Sequence, residues 1–143
     1  MSRVADSRRV DAAGIDALAS AFFDVFDNRG GVRVDLDRLR TLCIAEALLV
    51  KAVGAAPQAC GLDAFIAPRE QLLNAGALVD FHEEELSAHT EIFGNIAQRW
   101  CRYRKAGVLE GVGFATEGMK GLQFLRTPQG WRISAVLWDD APA

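Results

Sequence analysis

The stretch that decides the fold is LVDFHEEELSAHTEIF at Leu78–Phe93, followed by GN at residues 94–95 and IAQRWCRYRK at residues 96–105. Both runs are bounded by turn-forming residues and predict strands. The first run is unusually long, and only Gly94 and Asn95 separate it from the second. The pattern therefore predicts a long antiparallel hairpin.

Two further strands are predicted downstream, at residues 120–126 and 131–138. Pro128 to Gly130 separates these two runs, because proline and glycine mark turns. A glycine-rich stretch at residues 107–118 lies between the hairpin and the third strand, and it is predicted to be a flexible connection. Its second part, residues 111–118, superficially resembles a phosphate-binding loop, but it lacks the Lys-Ser/Thr ending and a strand follows it instead of a helix.

The first half of the chain is predicted to be mainly helical. Residues 11–28 form the first predicted helix, with Asp11 as its N-cap, and residues 1–10 are expected to be a flexible tail. A helical turn is expected at residues 35–39, and a second helix at residues 63–77. Residues 41–53 are apolar on both faces, so a buried strand and a helix both remain open. The apolar residues of the first helix recur at three- and four-residue steps: Ile15, Leu18, Ala19, Phe22, Phe23 and Phe26.

These elements predict the α+β class, with N-terminal helices packed on one face of a strongly curved antiparallel sheet. The chain has 143 residues, which is enough for one hydrophobic core and one domain spanning residues 1–143. Half of the residues are hydrophobic and 24% are charged, as in an ordinary globular protein.

Charge and cysteine content exclude several classes of function. The net charge of −3 predicts no general attraction to nucleic acid or to anionic membranes. The N-terminus lacks the apolar core of a signal peptide, and no apolar run reaches a membrane span. Three widely spaced cysteines, Cys43, Cys60 and Cys101, predict neither a disulfide framework nor a zinc site. We therefore expect free thiols and a cytoplasmic location.

Several short motifs resemble the sheet half of nuclear transport factor 2-like proteins, and more narrowly their bacterial branch of SnoaL-like, polyketide cyclase-related proteins. The resemblance spans nearly the whole chain. The residues that carry it are FGNIA at residues 93–97, Tyr103, GLQF at residues 121–124, GWRI at residues 130–133, Trp138, and the alternating Phe81, Glu83 and Glu85.

The resemblance implies a cone, in which a bent sheet wraps around the helices and leaves a pocket at its open end. It also implies a homodimer through the outer face of the sheet. The superfamily includes isomerases, dehydratases, cyclases, transport factors and oligomerisation domains, so the resemblance does not name a reaction.

Strand alternation, combined with the expected position of Ala97 against the helices, assigns residues to the concave face. Arg99, Cys101 and Tyr103 share that face with Ala97, and Asp139 is expected near the mouth. A bulge in any strand would invert these assignments. On the other strands the concave sets are Phe81, Glu83, Glu85, Ser87 and His89, and then Ile133, Ala135 and Leu137.

The predicted function is a pocket for a small apolar or aromatic metabolite, with cofactor-free isomerase, dehydratase or cyclase chemistry run by a carboxylate base. Burial raises the pKa of a carboxyl group and makes it a usable base at neutral pH. The alternative is a non-enzymatic module for homodimerisation or protein interaction. The candidate catalytic residues are Glu83, Glu85 and Asp139, and the candidate ligand-binding residues are Arg99, Tyr103, Gln123, Phe81, Ile133 and Leu137.

Each candidate also has a purely structural interpretation. Glu83 and Glu85 could simply pair with Arg99 and Arg102, and Tyr103 could be a packed wall. Trp131 and Trp138 are expected to be core or dimer-interface anchors.

No metal, cofactor or nucleic acid is predicted. The HEEEL sequence at residues 82–86 misses the zinc motif HExxH by its last residue, and His82 and His89 would face opposite ways in a regular strand. A basic, aromatic run at residues 99–105 could stack RNA bases, but acidic residues surround it. Cys101 lacks a suitably placed histidine, so no nucleophilic role is assigned to it.

Overall fold

The computed structural model describes residues 3–141 and begins with a long helix, α1, at Arg3–Asp24. The helix starts before Asp11, so residues 3–10, predicted to be a tail, are helical and mostly exposed. This segment contains no glycine or proline that would break a helix. Asp11 is therefore not a cap, and its carboxylate instead accepts hydrogen bonds from Arg126 and Trp131. Residues 1–2 lie outside the described part of the chain.

A short irregular segment connects α1 to the sheet. It contains 3₁₀ turns at Arg29–Gly31 and Leu36–Arg38 and the short helix α2 at Leu39–Leu42. The carboxylate of Asp35 accepts a hydrogen bond from the Asp37 amide and caps the second turn, as an N-cap residue does. The predicted helical turn at residues 35–39 is thus confirmed.

The ambiguous run at residues 41–53 is a strand, β1, at Cys43–Lys51. A short strand, β2, follows at Gln58–Cys60. Helix α3 follows at Leu62–Asn74 and continues through Pro68.

The remaining strands are β3 at Leu78–Phe93, β4 at Ile96–Leu109, β5 at Val112–Thr127 and β6 at Gly130–Asp140. Together with β1 and β2 they form one curved sheet in the order β2-β1-β6-β5-β4-β3. Only the β1–β6 pair is parallel among the described strand pairs. The α+β class and the long hairpin are therefore confirmed.

The glycine-rich stretch at residues 107–118 is not a flexible connection. It belongs to β4 and β5, which turn at Glu110 and Gly111. Two of its glycines are needed for packing, because a Cβ on Gly107 would lie 3.2 Å from the Phe81 ring and one on Gly118 would lie 2.6 Å from Tyr103 Oη. Glycine inside a strand marks such close approaches.

Three β-bulges in β3 and β6 change which residues face the helices, and the first of them lies between Val79 and His82. In β3, Glu85 pairs with Tyr103 but Ser87 pairs with Arg102, which leaves Leu86 as an extra residue. In β6, Ala135 pairs with Gln123 and Ile133 pairs with Phe124, which leaves Ser134 as the extra residue. Because side chains alternate along a strand, each bulge inverts the facing of every residue beyond it.

The core lies between the inner face of the sheet, α1 and α3. Asn28 joins these elements, because its side chain donates to the Leu73 and Leu78 carbonyls and accepts from the Phe81 amide. Within residues 3–141, no helix has the length and hydropathy that crossing a membrane requires.

Candidate functional site

A cavity of about 140 Å³ lies at one end of the molecule, between α3, the end of α1 and the inner face of the sheet. An engineered apolar cavity of about this size binds one benzene molecule. The apolar wall of the cavity in this protein consists of Phe22, Phe26, Phe65, Leu72, Leu73, Leu78, Phe81 and Trp138. Its charged groups are Lys51, Arg69, Glu83, Lys105 and Lys120.

An edge-to-face series of aromatic rings builds one side of this cavity. The Phe26 ring centroid lies 5.5 Å from that of Phe22 and 6.1 Å from that of Phe65, and Phe65 lies 6.1 Å from Trp138. Such T-shaped contacts hold rings in defined orientations. The series joins α1, α3 and β6 into a shaped apolar wall.

A buried ion pair forms the polar floor of the cavity. Lys120 Nζ lies 3.2 Å from Glu83 Oε1, and the two side chains are only 4% and 10% exposed. The ammonium group also lies 4.1 Å from the centroid of the Tyr103 ring and 4.9 Å from that of Trp138. A buried charge needs such compensation, because an unpaired one is costly.

A second pair lies beside the first. Asp140 accepts hydrogen bonds from the fully buried Tyr103 hydroxyl and from Lys105 Nζ, the latter at 3.0 Å. Burial opposes ionisation of Asp140, but these two hydrogen bonds outweigh it and lower the pKa of Asp140. Burial, followed by the hydrogen bond to Asp140, raises the pKa of Tyr103. The phenol is therefore a neutral donor committed to Asp140.

Arg99 is the centre of a separate ion-pair network that does not line the cavity. Its Nε donates to Glu85 Oε2 at 2.9 Å, and its Nη1 donates to Asp16 at 2.7 Å and to Thr90 at 2.8 Å. The hydrogen bonds from Arg99 to Glu85 raise the pKa of the guanidinium. This network ties α1 to β3 and β4, so the structural interpretation holds for Glu85 and Arg99.

Glu83 and Phe81 are the predicted site residues that line the cavity. Tyr103 lies beneath its floor, whereas Ile133 is fully buried in the core.

Three predicted positions are wrong. Leu137 and Asp139 are exposed, because the bulge at Ser134 turns them outward together with Ala135 and turns Trp138 and Asp140 inward. Gln123 is also exposed, since it alternates with the buried Leu122 and Phe124.

The cations of the site were missed by the sequence reasoning. Lys120 alternates with Leu122 and Phe124 on an apolar strand face, and a charged residue in such a position is a signal that could have been used. Arg69 follows Phe65 at helical spacing and could have been placed on the same face of α3. Lys51 and Lys105 carry no comparable signal.

Histidines and cysteines form no further site within residues 3–141. His89 is exposed beside Glu91, and no cluster of three or more His, Cys, Asp or Glu side chains could hold a metal ion in this part of the chain. Burial, with a smaller effect of Glu85, raises the pKa of the Cys101 thiol to about 12. A thiol of such a high pKa is a poor nucleophile.

The fold and the cavity define a class of protein, a small α+β cone with a cavity between its helices and a bent sheet. Solved structures of this class match the chain along almost its whole length. A nuclear transport factor 2-like protein of Salmonella enterica is 14% identical with a TM-score of 0.77, over 96% of this chain and 94% of that one. The Kfla4162 protein of Kribbella flavida is 20% identical with a TM-score of 0.74, over 94% and 93% of the two chains. A protein of Novosphingobium aromaticivorans is described as nuclear transport factor 2-like with a cystatin-like fold. It is 19% identical with a TM-score of 0.74, over 98% of this chain and 89% of that one.

The chain therefore has the nuclear transport factor 2-like, cystatin-like fold, as the sequence motifs predicted. No protein-family model matches the sequence, and no curated protein matches it. The narrower resemblance to the SnoaL-like branch stays a prediction, because similarity at these identities concerns the fold alone.

Proposed function

We propose that this protein binds a small, largely apolar metabolite in the cavity between α3 and the sheet. The observation that carries the proposal is an apolar, aromatic-walled cavity with the buried Glu83–Lys120 pair on its floor. Ligand sites in proteins combine apolar walls with a few polar groups of this kind. We also place the protein in the cytoplasm, because its three cysteines are free thiols, as expected in a reducing compartment.

The chemistry that we propose is a cofactor-free proton transfer of the isomerase, dehydratase or cyclase type. Glu83 is the only carboxylate on the cavity wall among residues 3–141, which makes it the candidate base. It would take a proton from the carbon next to a ligand carbonyl, so that the C–H electron pair forms the carbon–carbon double bond of an enolate and the carbonyl π electrons move onto the oxygen. The Lys120 ammonium group would stabilise this oxyanion.

The test begins with protein purified from cells, which is analysed by native mass spectrometry and crystallised. A bound small molecule in the cavity is expected. Leu72→Trp should block binding, because Leu72 lies in the cavity wall and is partly exposed. Leu86→Trp, at an exposed position of β3 outside the cavity wall, is the control. An empty cavity in the purified protein would contradict the binding proposal.

The catalytic proposal is tested with the molecule so identified. Wild-type protein in deuterated buffer should exchange the acidic ligand hydrogen, as followed by NMR. Glu83→Gln should still bind the ligand but lose the exchange. Equal exchange by both proteins would exclude Glu83 as the base and leave binding as the function.

A second proposal concerns the outer face of the sheet and is a homodimer. Trp100 is 60% exposed and Leu137 47%, and both flank Gly121, with which each is in register. Aromatic side chains on a flat apolar surface are typical of the core of protein interfaces. This proposal also covers the non-enzymatic alternative, in which assembly is the function.

Light scattering after size-exclusion chromatography tests the dimer. The wild-type protein should have twice the chain mass of 15.5 kDa, and Trp100→Glu should have the single mass. Val112→Glu, at an exposed position in the β4–β5 hairpin end, should remain dimeric. A wild-type monomer at micromolar concentration would rule out the proposal.

A further inference from the structure

The charges on the cavity wall are unbalanced. Four cationic side chains line it, and Glu83 is the only acidic one among the described residues. Two of the cations are compensated, because Lys120 pairs with Glu83 and Lys105 pairs with Asp140. Lys51 and Arg69 are the other two. This local excess of positive charge contrasts with the net charge of −3 for the whole chain.

Neither Arg69 nor Lys51 has an acidic partner in the described part of the chain, since no carboxylate oxygen lies within 4.0 Å of either. The Arg69 guanidinium stacks on the Phe65 ring at 3.9 Å and makes one long hydrogen bond, 3.5 Å, to the Phe65 carbonyl. Burial lowers the pKa of this guanidinium, and the opposing electrostatic effects of Cys60 and Glu83 offset that lowering only in part.

The stacking on Phe65 holds the guanidinium plane against the aromatic wall. A guanidinium carries five N–H donors in a fixed fork that matches the two oxygens of a carboxylate. Lys51, on the last position of β1, adds a second positive charge to the same wall. Arg69 and Lys51 are therefore two cations without an ion-pair partner on the wall of a largely apolar cavity.

We infer that the ligand is a small monocarboxylic acid, with its carboxylate held by Arg69 and Lys51 and its apolar body among the aromatic side chains. The inference rests on the proposed function, because it names the ligand class of the same cavity. The volume of about 140 Å³ limits the apolar body to roughly one aromatic ring or a short branched chain. The buried Glu83–Lys120 pair lies on the floor of the same cavity.

Isothermal titration calorimetry with matched acids and amides tests this inference. The probes are benzoate, phenylacetate and isovalerate, each compared with its neutral amide, which has nearly the same shape. Wild-type protein should bind at least one acid about tenfold or more tightly than its amide, because charge-assisted hydrogen bonds are stronger than neutral ones.

Arg69→Met should lower this preference at least about threefold, with Lys51 as the remaining uncompensated cation, while the affinity for the amide changes less than about threefold, which also shows that the variant is folded. Arg69→Lys should retain part of the preference, since it keeps the charge but loses the fork. Arg38→Met removes the same charge at an exposed position in the 3₁₀ turn before α2, and it should bind as the wild type does.

Two results would overturn the inference, and they differ in what else they exclude. Equal affinity of the wild type for acids and amides, or an acid preference that is undiminished in Arg69→Met, would refute the anion site and leave the binding function intact. No binding of any of the six probes at millimolar concentration would refute both the anion site and the proposed cavity function.

Discussion

Replacing Asn28 with alanine should destabilise the protein strongly, although this residue is neither in the cavity nor in a helix. Its side chain is 3% exposed. Its Nδ2 donates to the Leu73 and Leu78 carbonyls at 2.8 Å each, and its Oδ1 accepts from the Phe81 amide at 2.7 Å. These bonds join the end of α1, the end of α3 and the start of β3.

The expected loss follows from the groups that the substitution leaves unpaired. The buried Phe81 N–H without a partner costs about 2 kcal/mol, and each carbonyl that loses its donor costs about 1 kcal/mol. The total of about 4 kcal/mol is a large part of the 5–15 kcal/mol that stabilises a typical domain.

Urea unfolding measures this effect. With a slope of about 2 kcal/mol per molar urea, the midpoint should fall by about 2 M in Asn28→Ala. Asn28→Asp should lose at least as much, since an acceptor-only carboxylate would face two carbonyl oxygens. Asn95→Ala, at an exposed turn, is the control and should change the midpoint little. A loss below about 0.5 kcal/mol in Asn28→Ala would refute the reasoning.

Three further outcomes are expected. Lys120→Met should lower the free energy of unfolding by about 3–5 kcal/mol, measured with urea, because it leaves the buried Glu83 carboxylate unpaired. Adding Glu83→Leu should recover at least half of that loss. If the losses of the two single variants simply added in the double variant, the coupling between Lys120 and Glu83 would be disproved. Gly118→Ala should destabilise by about 2 kcal/mol or more, because its Cβ would overlap the β6 backbone, whereas Gly113→Ala has open space and should leave the thermal midpoint nearly unchanged. The pKa of Asp140 is lowered by folding, so its contribution to stability is complete above the unfolded value of about 3.9 and is lost as the pH falls through the folded value. Asp140→Asn should therefore flatten the acid side of the stability–pH curve, and an unchanged acid slope would count against this assignment.

Much of the fold could be predicted from local pattern. The hairpin of β3 and β4 was predicted with the bounds of β3 unchanged, because turn residues and strand composition are local properties. The prediction of a flexible connection at residues 107–118 was wrong, and the reason is physical. Glycine there indicated flexibility, but its actual role is to admit the Phe81 and Tyr103 rings against the backbone, which depends on partners distant in the chain.

The site was predicted in part. Glu83 and Phe81 line the cavity, because no bulge separates them and their strand alternation is regular. Arg99 and Glu85 were placed on the inner face, which they do share, but Asp16 of α1 completes their network. No spacing along the sequence could have shown that a helix residue 83 positions away accepts from Arg99.

The sequence by itself determined the class of fold, the order of the main elements and the inner face of β4, since these follow from the alternation and composition of single segments. Only the tertiary structure decided the cavity and its charges. An extra residue at Leu86 or at Ser134 costs little locally, yet it turns every later side chain of its strand to the opposite face. Trp138 and Asp140 therefore face inward in place of Leu137 and Asp139, and Lys120 meets Glu83 only because β5 and β3 both flank β4. The site depends on register between strands, which is settled by packing of the whole sheet and not by any one segment.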